Sequence, residues 1–271
     1  MTIPPDRLSS KLLEIKNLFT AFHSNGRFRT VVDGVSLTIN KNEVFAIVGE
    51  AGCGKSALAL SIAQLHDVKT TKLTGEILFN GHDLLGFSES QLNRIRGKSI
   101  GTILQGNIGM LNPLQTIGTQ VEEGLIYHTD LNKEIRKDRV LSLLNAVGLN
   151  DTEYIYTLFP HEASQEVRQR AMIAIAASSK PNLLIADEPT KDLDIISQAQ
   201  ILALLKSLQK ETKSSLILTT RDLGIALEIA DTIAIMKDGQ IAECAPVAEL
   251  LNNTQHAYTR SMLDFIYGKG E

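Results

Sequence analysis

"VFAIVGEAGCGKSALALSIAQL", residues 44–65, is the stretch whose reading decides the fold. Five apolar residues of buried-strand length run into GEAGCGKS, Gly49 to Ser56, and KSALALSIAQL continues from Lys55 at helical spacing. The loop matches G-x-x-x-x-G-K-[ST] in the strand, loop and helix order that this pattern requires. Glycines let the backbone curl so that its N–H groups face phosphate oxygens, and the helix N-terminus adds partial positive charge. That arrangement assigns Lys55 to β- and γ-phosphates and Ser56 to a Mg2+ ion. The competing reading is a Gly-rich turn of no function, and the ordered context argues against it. Cys53 lies inside the loop, where a small tolerated side chain is the plainer reading and a redox role the sharper one.

Working outward, 12–18 and 30–39 are β-favouring, and GEILFNGHDL is a strand followed by an Asn80-Gly81 turn. KSIGTIL, NLLIAD, SLILTT and DTIAIM are further apolar runs of buried-strand length, separated by helical patterns. Alternation of that kind predicts an α/β fold with a wound parallel sheet. Between Gln105 and His161 the pattern changes to turns followed by two amphipathic stretches, near Ile117–Tyr127 and Ile135–Val147, which read as a helical insert. HAYTRSMLDFIYGKGE is read as one short helix and a tail.

LLIADEP ends a buried strand on Asp187 with Glu188 next. Acids at the C-terminal edge of a parallel sheet point into the crevice where ligands bind. Asp187 then belongs to the Mg2+ shell and Glu188 polarises the attacking water, because phosphoryl transfer needs placement and charge neutralisation more than covalent chemistry. Alone, ADEP also reads as a helix start with Pro189 in the first turn.

Composition narrows the class. A chain of 271 residues, 43% hydrophobic, can bury a substantial core. The net charge of −4, without a basic tail or an aromatic-rich basic patch, argues against nucleic-acid binding. Cys53 and Cys244 form no CxxC, so neither a disulfide framework nor a zinc site is indicated, which suits a reducing cytosol. The six histidines show no metal spacing. No apolar run approaches the roughly 20 residues of a membrane span, and MTIPPDRLSSK lacks the apolar core of a signal peptide. Any membrane role is expected to come through a partner.

The order of motifs resembles an ATP-binding subunit of an ABC transporter: the phosphate loop, ILQ with Gln105, FPHEASQEVRQR, LLIADEPT, KDLD, then ILTTRDLG. More narrowly, LNPLQTIG, FPHE, RQRAMIAIA, QAQIL, DLGIALEIAD and HAYTR resemble the oligopeptide and dipeptide importer subunits, which have nickel-importer relatives. The resemblance covers nearly the whole chain. It implies a P-loop NTPase (RecA-like) core with an N-terminal antiparallel β-subdomain and an inserted helical subdomain. The implied boundaries are 8–104 and 167–250 for the core, 105–166 for the helical insert, and 251–271 for the C-terminal helix and tail of one domain spanning 1–271.

The resemblance further implies ATP and Mg2+ as cofactors, held by Gly49, Glu50, Ala51, Gly52, Cys53, Gly54, Lys55, Ser56 and Ala57. Gln105 joins Ser56 and Asp187 toward the metal and links nucleotide to the docking surface. Phe22 or Phe28 stacks on adenine, with plain core packing the alternative for either. The helical insert docks on transmembrane permease subunits, and an extracytoplasmic solute-binding protein acts at one remove. A second ATP-binding subunit shares two ATPs, each contacted by one phosphate loop and by the other subunit's signature loop, here at Ser164. The location implied is the cytoplasmic face of the cell membrane. Asp194 in KDLD resembles the loop that meets the opposite subunit, with a helix N-cap as the plainer role. Family members often carry iron–sulfur cysteines beyond the H-x-Y-T-R segment; none follows Arg260 here, so no cluster is expected.

Two departures stand out. The family signature, a Leu or Phe followed by Ser-Gly-Gly, reads Ala163-Ser164-Gln165-Glu166, so both glycines that allow close phosphate approach are replaced. A carboxylate about 5 Å from a phosphate charge costs on the order of 3 kcal/mol per unit charge at an effective dielectric of 20, so Glu166 must turn away, take a counter-ion or weaken the partner's site. TTRDLG puts Arg221 where the family has its switch histidine; Arg neutralises phosphate bidentately but cannot accept a hydrogen bond from the attacking water. The expected activity is a slow ATPase that drives solute uptake and pairs with a fuller-motif sibling. The alternative is a hydrolysis-deficient regulatory or structural subunit.

Overall fold

The protein is seen here as a computed structural model that describes residues 11–24, 26–104, 111–191 and 193–268. In chain order the elements begin with strands β1 (Lys11–Ser24), β2 (Arg27–Asn40) and β3 (Val44–Val48), helix α1 (Lys55–Ala63), strands β4 (Thr71–Phe79) and β5 (His82–Asp83), and helix α2 (Glu89–Ile95). Next come β6 (Ile100–Ile103), α3 (Ile117–His128), α4 (Lys133–Ala146), α5 (Thr152–Thr157), α6 (Gln165–Ala177), β7 (Leu183–Asp187) and α7 (Ile195–Thr212). The chain finishes with β8 (Ser215–Thr220), α8 (Leu223–Ile229), β9 (Thr232–Lys237), β10 (Gln240–Pro246), α9 (Val247–Asn252) and α10 (Ala257–Ile266). These elements form two compact units, one made of residues up to Leu92 together with those from Ser215 onward, the other of Asn93–Ser214.

In the first unit an antiparallel sheet runs in the order β2-β1-β4-β5. Its first hairpin carries register shifts between Ile15 and Thr20, where Asn17 has φ 48° and donates its backbone N–H to Ser36 Oγ at 2.9 Å. Such a bulge bends the strands and increases their twist. The Asn80-Gly81 turn forms as expected, both residues having positive φ, and joins β4 to β5. The expected strands at 12–18 and 30–39 are each longer in the fold, because polar residues on the open face continue the ladder.

The second sheet segment of this unit is built on β3, flanked by β8 and β9, both parallel to it, with β10 antiparallel on β9. All five residues of β3 are buried, the pattern of a parallel strand covered on both faces. Ala46 and Val48 share a core with Leu223, Ala226, Ile233, Ile235, Leu250 and Leu263, so α8, α9 and α10 close over one face. Each fully buried Val, Leu or Ile side chain there contributes about 1.5–3 kcal/mol of transfer free energy.

In the second unit β6 and β7 pair in parallel, and α3, α4 and α5 lie in the 105–166 segment expected to be a helical insert. Both amphipathic stretches expected there are helical. Their packing centres on Glu122 of α3, which is 7% exposed. Its carboxylate accepts from Arg136 Nε at 2.8 Å and from the Tyr156 hydroxyl at 3.0 Å, tying α3, α4 and α5 together. Gly118 lets the Tyr156 ring lie against the α3 backbone, where any side chain would overlap the ring. Burial and the Glu122 carboxylate push the Tyr156 phenol up to about 12. Among the described residues no helix is long and apolar enough to cross a membrane.

Candidate functional site

The phosphate-type loop connects β3 to α1. Gly49 donates its N–H to Thr220 O at 3.3 Å and Gly239 donates to Cys53 O at 2.9 Å, so β8 and the β9–β10 turn hold the loop from two sides. Gly54 precedes α1 with φ 112°, a conformation other residues rarely adopt. A Cβ on Gly54 would meet Val31 O at 2.6 Å and Met236 Cε at 2.8 Å. Glycine is therefore required there by backbone shape and by space, whereas Gly52, with φ 79°, faces open space. Cys53 is buried and Glu50, Ala51 and Gly52 are exposed.

Lys55 is only 3% exposed, and its ammonium donates to Gly49 O at 2.7 Å and Glu50 O at 2.8 Å. A buried cation must be paired or hydrogen-bonded, and these carbonyls meet that need while keeping Nζ within the curl of the loop. Ser56 and Ala57 follow in the first turn of α1, and the N-terminus of a helix suits an anion.

Asp187 ends β7 and is 3% exposed. Glu188 follows with φ 43°, the left-handed region, which in a non-glycine residue marks a position held by its surroundings. No helix starts at Pro189; a turn intervenes and α7 begins only at Ile195, so ADEP is a strand end. Gln169 of α6 donates through Nε2 to Pro189 O, a buried bond that ties α6 to this turn.

Ser164 is the N-cap of α6, its Oγ accepting from Val167 N at 3.3 Å. Ser164, Gln165 and Glu166 are all exposed. Glu166 takes a counter-ion: Arg170 Nε lies 3.0 Å from its Oε1. The same guanidinium donates to Val147 O at 2.8 Å and Gln200 Oε1 at 3.0 Å, which fixes its position. Gln165, Glu166 and Arg170 border a cavity of about 230 Å³ with Asp194 and Gln200. Arg168 fastens the preceding loop by donating to Ala163 O at 2.6 Å and Pro160 O at 3.2 Å. His161 stacks on Phe159, with ring centroids 5.7 Å apart. Asp194 fills its plainer role as N-cap of α7, accepting from Ile196 N and Ser197 N at 3.0 Å each; the Ser197 hydroxyl bond holds its carboxyl below the usual range.

Arg221, just after β8, is exposed and borders a cavity of about 480 Å³ with Glu50, Asp222, Tyr258 and Phe265. Phe22 is half-buried on β1 and meets the His66 ring edge-on at 5.1 Å, while Phe28 is 55% exposed and meets His23 at 5.2 Å. Burial holds His66 below the usual histidine range, its Nε2 lying 3.0 Å from Ala57 O and 2.9 Å from Ser61 Oγ. Gln105 lies outside the described residues. The first unit thus brings together the loop, Arg221 and the two phenylalanines; the second carries Ser164, Gln165, Glu166, Asp187 and Glu188.

Sequence reasoning missed two contacts. One is the Gln169–Pro189 bond; the other is the Tyr258 hydroxyl, which donates to Glu50 Oε1 at 3.1 Å. HAYTR stands out as a motif, but nothing in its spacing links it to a loop 208 residues away.

Comparison with known proteins places these features. Residues 32–191 match the family profile described as ABC transporter. The oligopeptide transport ATP-binding protein OppD of Lactococcus lactis subsp. cremoris is 42% identical over 255 residues, covering 94% of this chain and 75% of that protein. The dipeptide transport ATP-binding protein DppD of Bacillus subtilis is 41% identical over 254 residues, covering 93% and 76%. Among solved structures, an ATP-binding cassette in a dimeric post-hydrolysis state bound to ADP and Pi superposes with a TM-score of 0.78 at 27% identity, covering 87% of this chain and 99% of that one. With the strand, loop and helix geometry above, these matches establish that the chain belongs to the ABC transporter family and is one of its ATP-binding cassettes.

Proposed function

We propose that this cassette is the ATP-binding subunit of an importer of oligopeptides or dipeptides, coupling ATP binding and slow hydrolysis to solute uptake. The observation that carries the reading is the loop Gly49–Ser56, which keeps Lys55 buried against its own carbonyls at the start of α1. The solute class is supported by the peptide-transport relatives, which match more than nine-tenths of the chain.

In this reading the Gly49–Ala57 backbone and Lys55 bind the phosphates of ATP. Ser56, Asp187 and Gln105 are the residues that would hold Mg2+, whose oxygen-preferring chemistry suits a hydroxyl, a carboxylate and an amide carbonyl. The ion would supply charge neutralisation across the transferred phosphoryl group. Glu188 orients the attacking water, Arg221 neutralises the γ-phosphate, and Phe22 or Phe28 stacks on adenine. Ser164 serves the nucleotide of a second ATP-binding subunit in a heterodimer. The 105–166 segment docks on permease subunits at the cytoplasmic face of the membrane, and an extracytoplasmic solute-binding protein delivers the solute.

The Glu166–Arg170 pair favours a working motor over a regulatory subunit. An unpaired carboxylate near a phosphate would cost on the order of 3 kcal/mol. A guanidinium 3.0 Å from that carboxylate offsets much of the charge, and the 62% exposure of the Glu166 side chain lets water screen the rest.

Calorimetry with Mg-ATP tests the binding half: Lys55→Ala is expected to lose most of the affinity, and equal affinity would sink the assignment. Steady-state ATPase activity tests the motor half, with and without the second ATP-binding subunit and the permeases. Turnover that rises on assembly supports it; none in any combination transfers the chain to the regulatory reading.

A further inference from the structure

We infer that Tyr258 is a positioning residue for the phosphate loop, acting through the Glu50 carboxylate. Glu50 is the second residue of the loop, and its backbone carbonyl is one of the two that hold Lys55 Nζ. Its side chain reaches outward and accepts from the Tyr258 hydroxyl at 3.1 Å. The inference rests on the reading of this loop as the nucleotide site.

Tyr258 is well placed to hold an exposed side chain. His256 caps α10 through Nδ1, accepting from Tyr258 N at 3.2 Å. Thr259 next to it is fully buried, and Leu263 one turn later sits in the core shared with β3 and α8. Lys237 at the end of β9 lies 4.8 Å from the centroid of the Tyr258 ring, a cation–π contact that fixes the ring from the sheet side. The phenol is therefore anchored by core packing, whereas Glu50 and Ala51 are exposed and Gly52 faces open space.

The loop's backbone is held by β8 and the β9–β10 turn, and the Tyr258 bond adds a side-chain restraint on its exposed outer limb. The Tyr258 bond is charge-assisted, roughly twice as strong as a neutral one. Burial and the Glu50 bond push the Tyr258 phenol up to about 12, so it remains a donor at every physiological pH. The bond restricts Glu50, hence the carbonyl that orients Lys55, and it makes α10 part of the nucleotide site. Arg221 borders the same cavity as Glu50 and Tyr258.

The test uses the full chain with Cys244→Ser, leaving Cys53 as the single thiol. Because Cys53 is buried within the loop, its rate of reaction with iodoacetamide in nucleotide-free buffer reports loop opening. Tyr258→Phe, which removes one oxygen, is expected to speed labelling and weaken Mg-ATP binding, each by about five- to tenfold, the scale of one typical hydrogen bond lost at an exposed site. In a Glu50→Ala background Tyr258→Phe should change neither quantity, because its effect passes through that carboxylate; a merely structural tyrosine would act additively. The inference is overturned by unchanged labelling and affinity in Tyr258→Phe, or by equal effects in both backgrounds. Lys55→Ala separates the two levels: if it binds Mg-ATP normally the nucleotide reading fails, while labelling rates still report whether Tyr258 restrains the loop.

Discussion

Replacing the two inner glycines of the phosphate loop by alanine should have unequal effects, although both have positive φ. Forcing an L-residue into such a conformation costs roughly 1–2 kcal/mol. At Gly52 that is the whole cost, because a Cβ there meets nothing within 4 Å. At Gly54 the new methyl would stand 2.6 Å from Val31 O and 2.8 Å from Met236 Cε. The methionine end can swing aside, but the carbonyl belongs to the β2 backbone and must be displaced, adding about 1–3 kcal/mol of overpacking. Gly52→Ala is therefore expected to lose about 1–2 kcal/mol and Gly54→Ala about 2–5 kcal/mol. With a urea slope near 3 kcal/mol/M, the midpoints fall by roughly 0.3–0.7 M and 0.7–1.7 M. Circular dichroism in urea reads both, and Mg-ATP calorimetry should show Gly52→Ala retaining binding that Gly54→Ala loses. Equal midpoints, or the larger loss in Gly52→Ala, would refute the steric argument.

Other perturbations separate the remaining elements. In the assembled transporter Arg221→His should raise turnover at this chain's own nucleotide, by up to about 10²-fold if one catalytic hydrogen bond is regained; Glu188→Gln should abolish that gain and spare any gain from Gln165→Gly with Glu166→Gly. Glu122→Gln removes the anion facing Arg136 in a mostly buried pair and should cost about 2–4 kcal/mol in urea unfolding. Lys137→Ala, which removes the exposed pair with Glu153, should cost under about 1 kcal/mol. In an alkaline absorbance titration two of the five tyrosines, Tyr156 and Tyr258, should ionise late, near 12. Their folded values are raised, so the associated stability is complete below about 10, the unfolded value, and is lost as pH climbs through 12. Calorimetry of Phe22→Ala and Phe28→Ala should show one losing nucleotide affinity and the other unchanged, which identifies the adenine platform.

The loop and the strands were legible because their signals are local. Val44–Val48 is a continuous apolar run, Gly49 to Ser56 is a spacing pattern, and Asn80-Gly81 allows one kind of tight turn. The strand ends of β1 and β2 and the short α5 and α9 were harder to read, since polar residues there are ordered by pairing and packing that no window reveals. At the candidate site the departures at Gln165, Glu166 and Arg221 were plain in the text, but the counter-ion of Glu166 was not. Arg170 lies at i+4 on α6, so the pair was open to inspection. Its added grip on Val147 and Gln200 depends on tertiary packing. The Glu50–Tyr258 bond joins positions far apart in the chain and was beyond pattern reading altogether.

The bond from Gln169 to Pro189 has a consequence for how two cassettes would communicate. Ser164 and Glu166 at the head of α6 face outward, toward a neighbour's nucleotide in the proposed pairing, while Pro189 directly follows Glu188, assigned to the chain's own. One buried amide therefore joins the helix whose head carries Ser164 and Glu166 to the turn that follows Glu188. Thermodynamic linkage would make any coupling through this joint reciprocal: a nucleotide next door that changed affinity at the chain's own site would have its own affinity changed by the same factor. In the proposed pairing, neither site's affinity could then be tuned without tuning the other's.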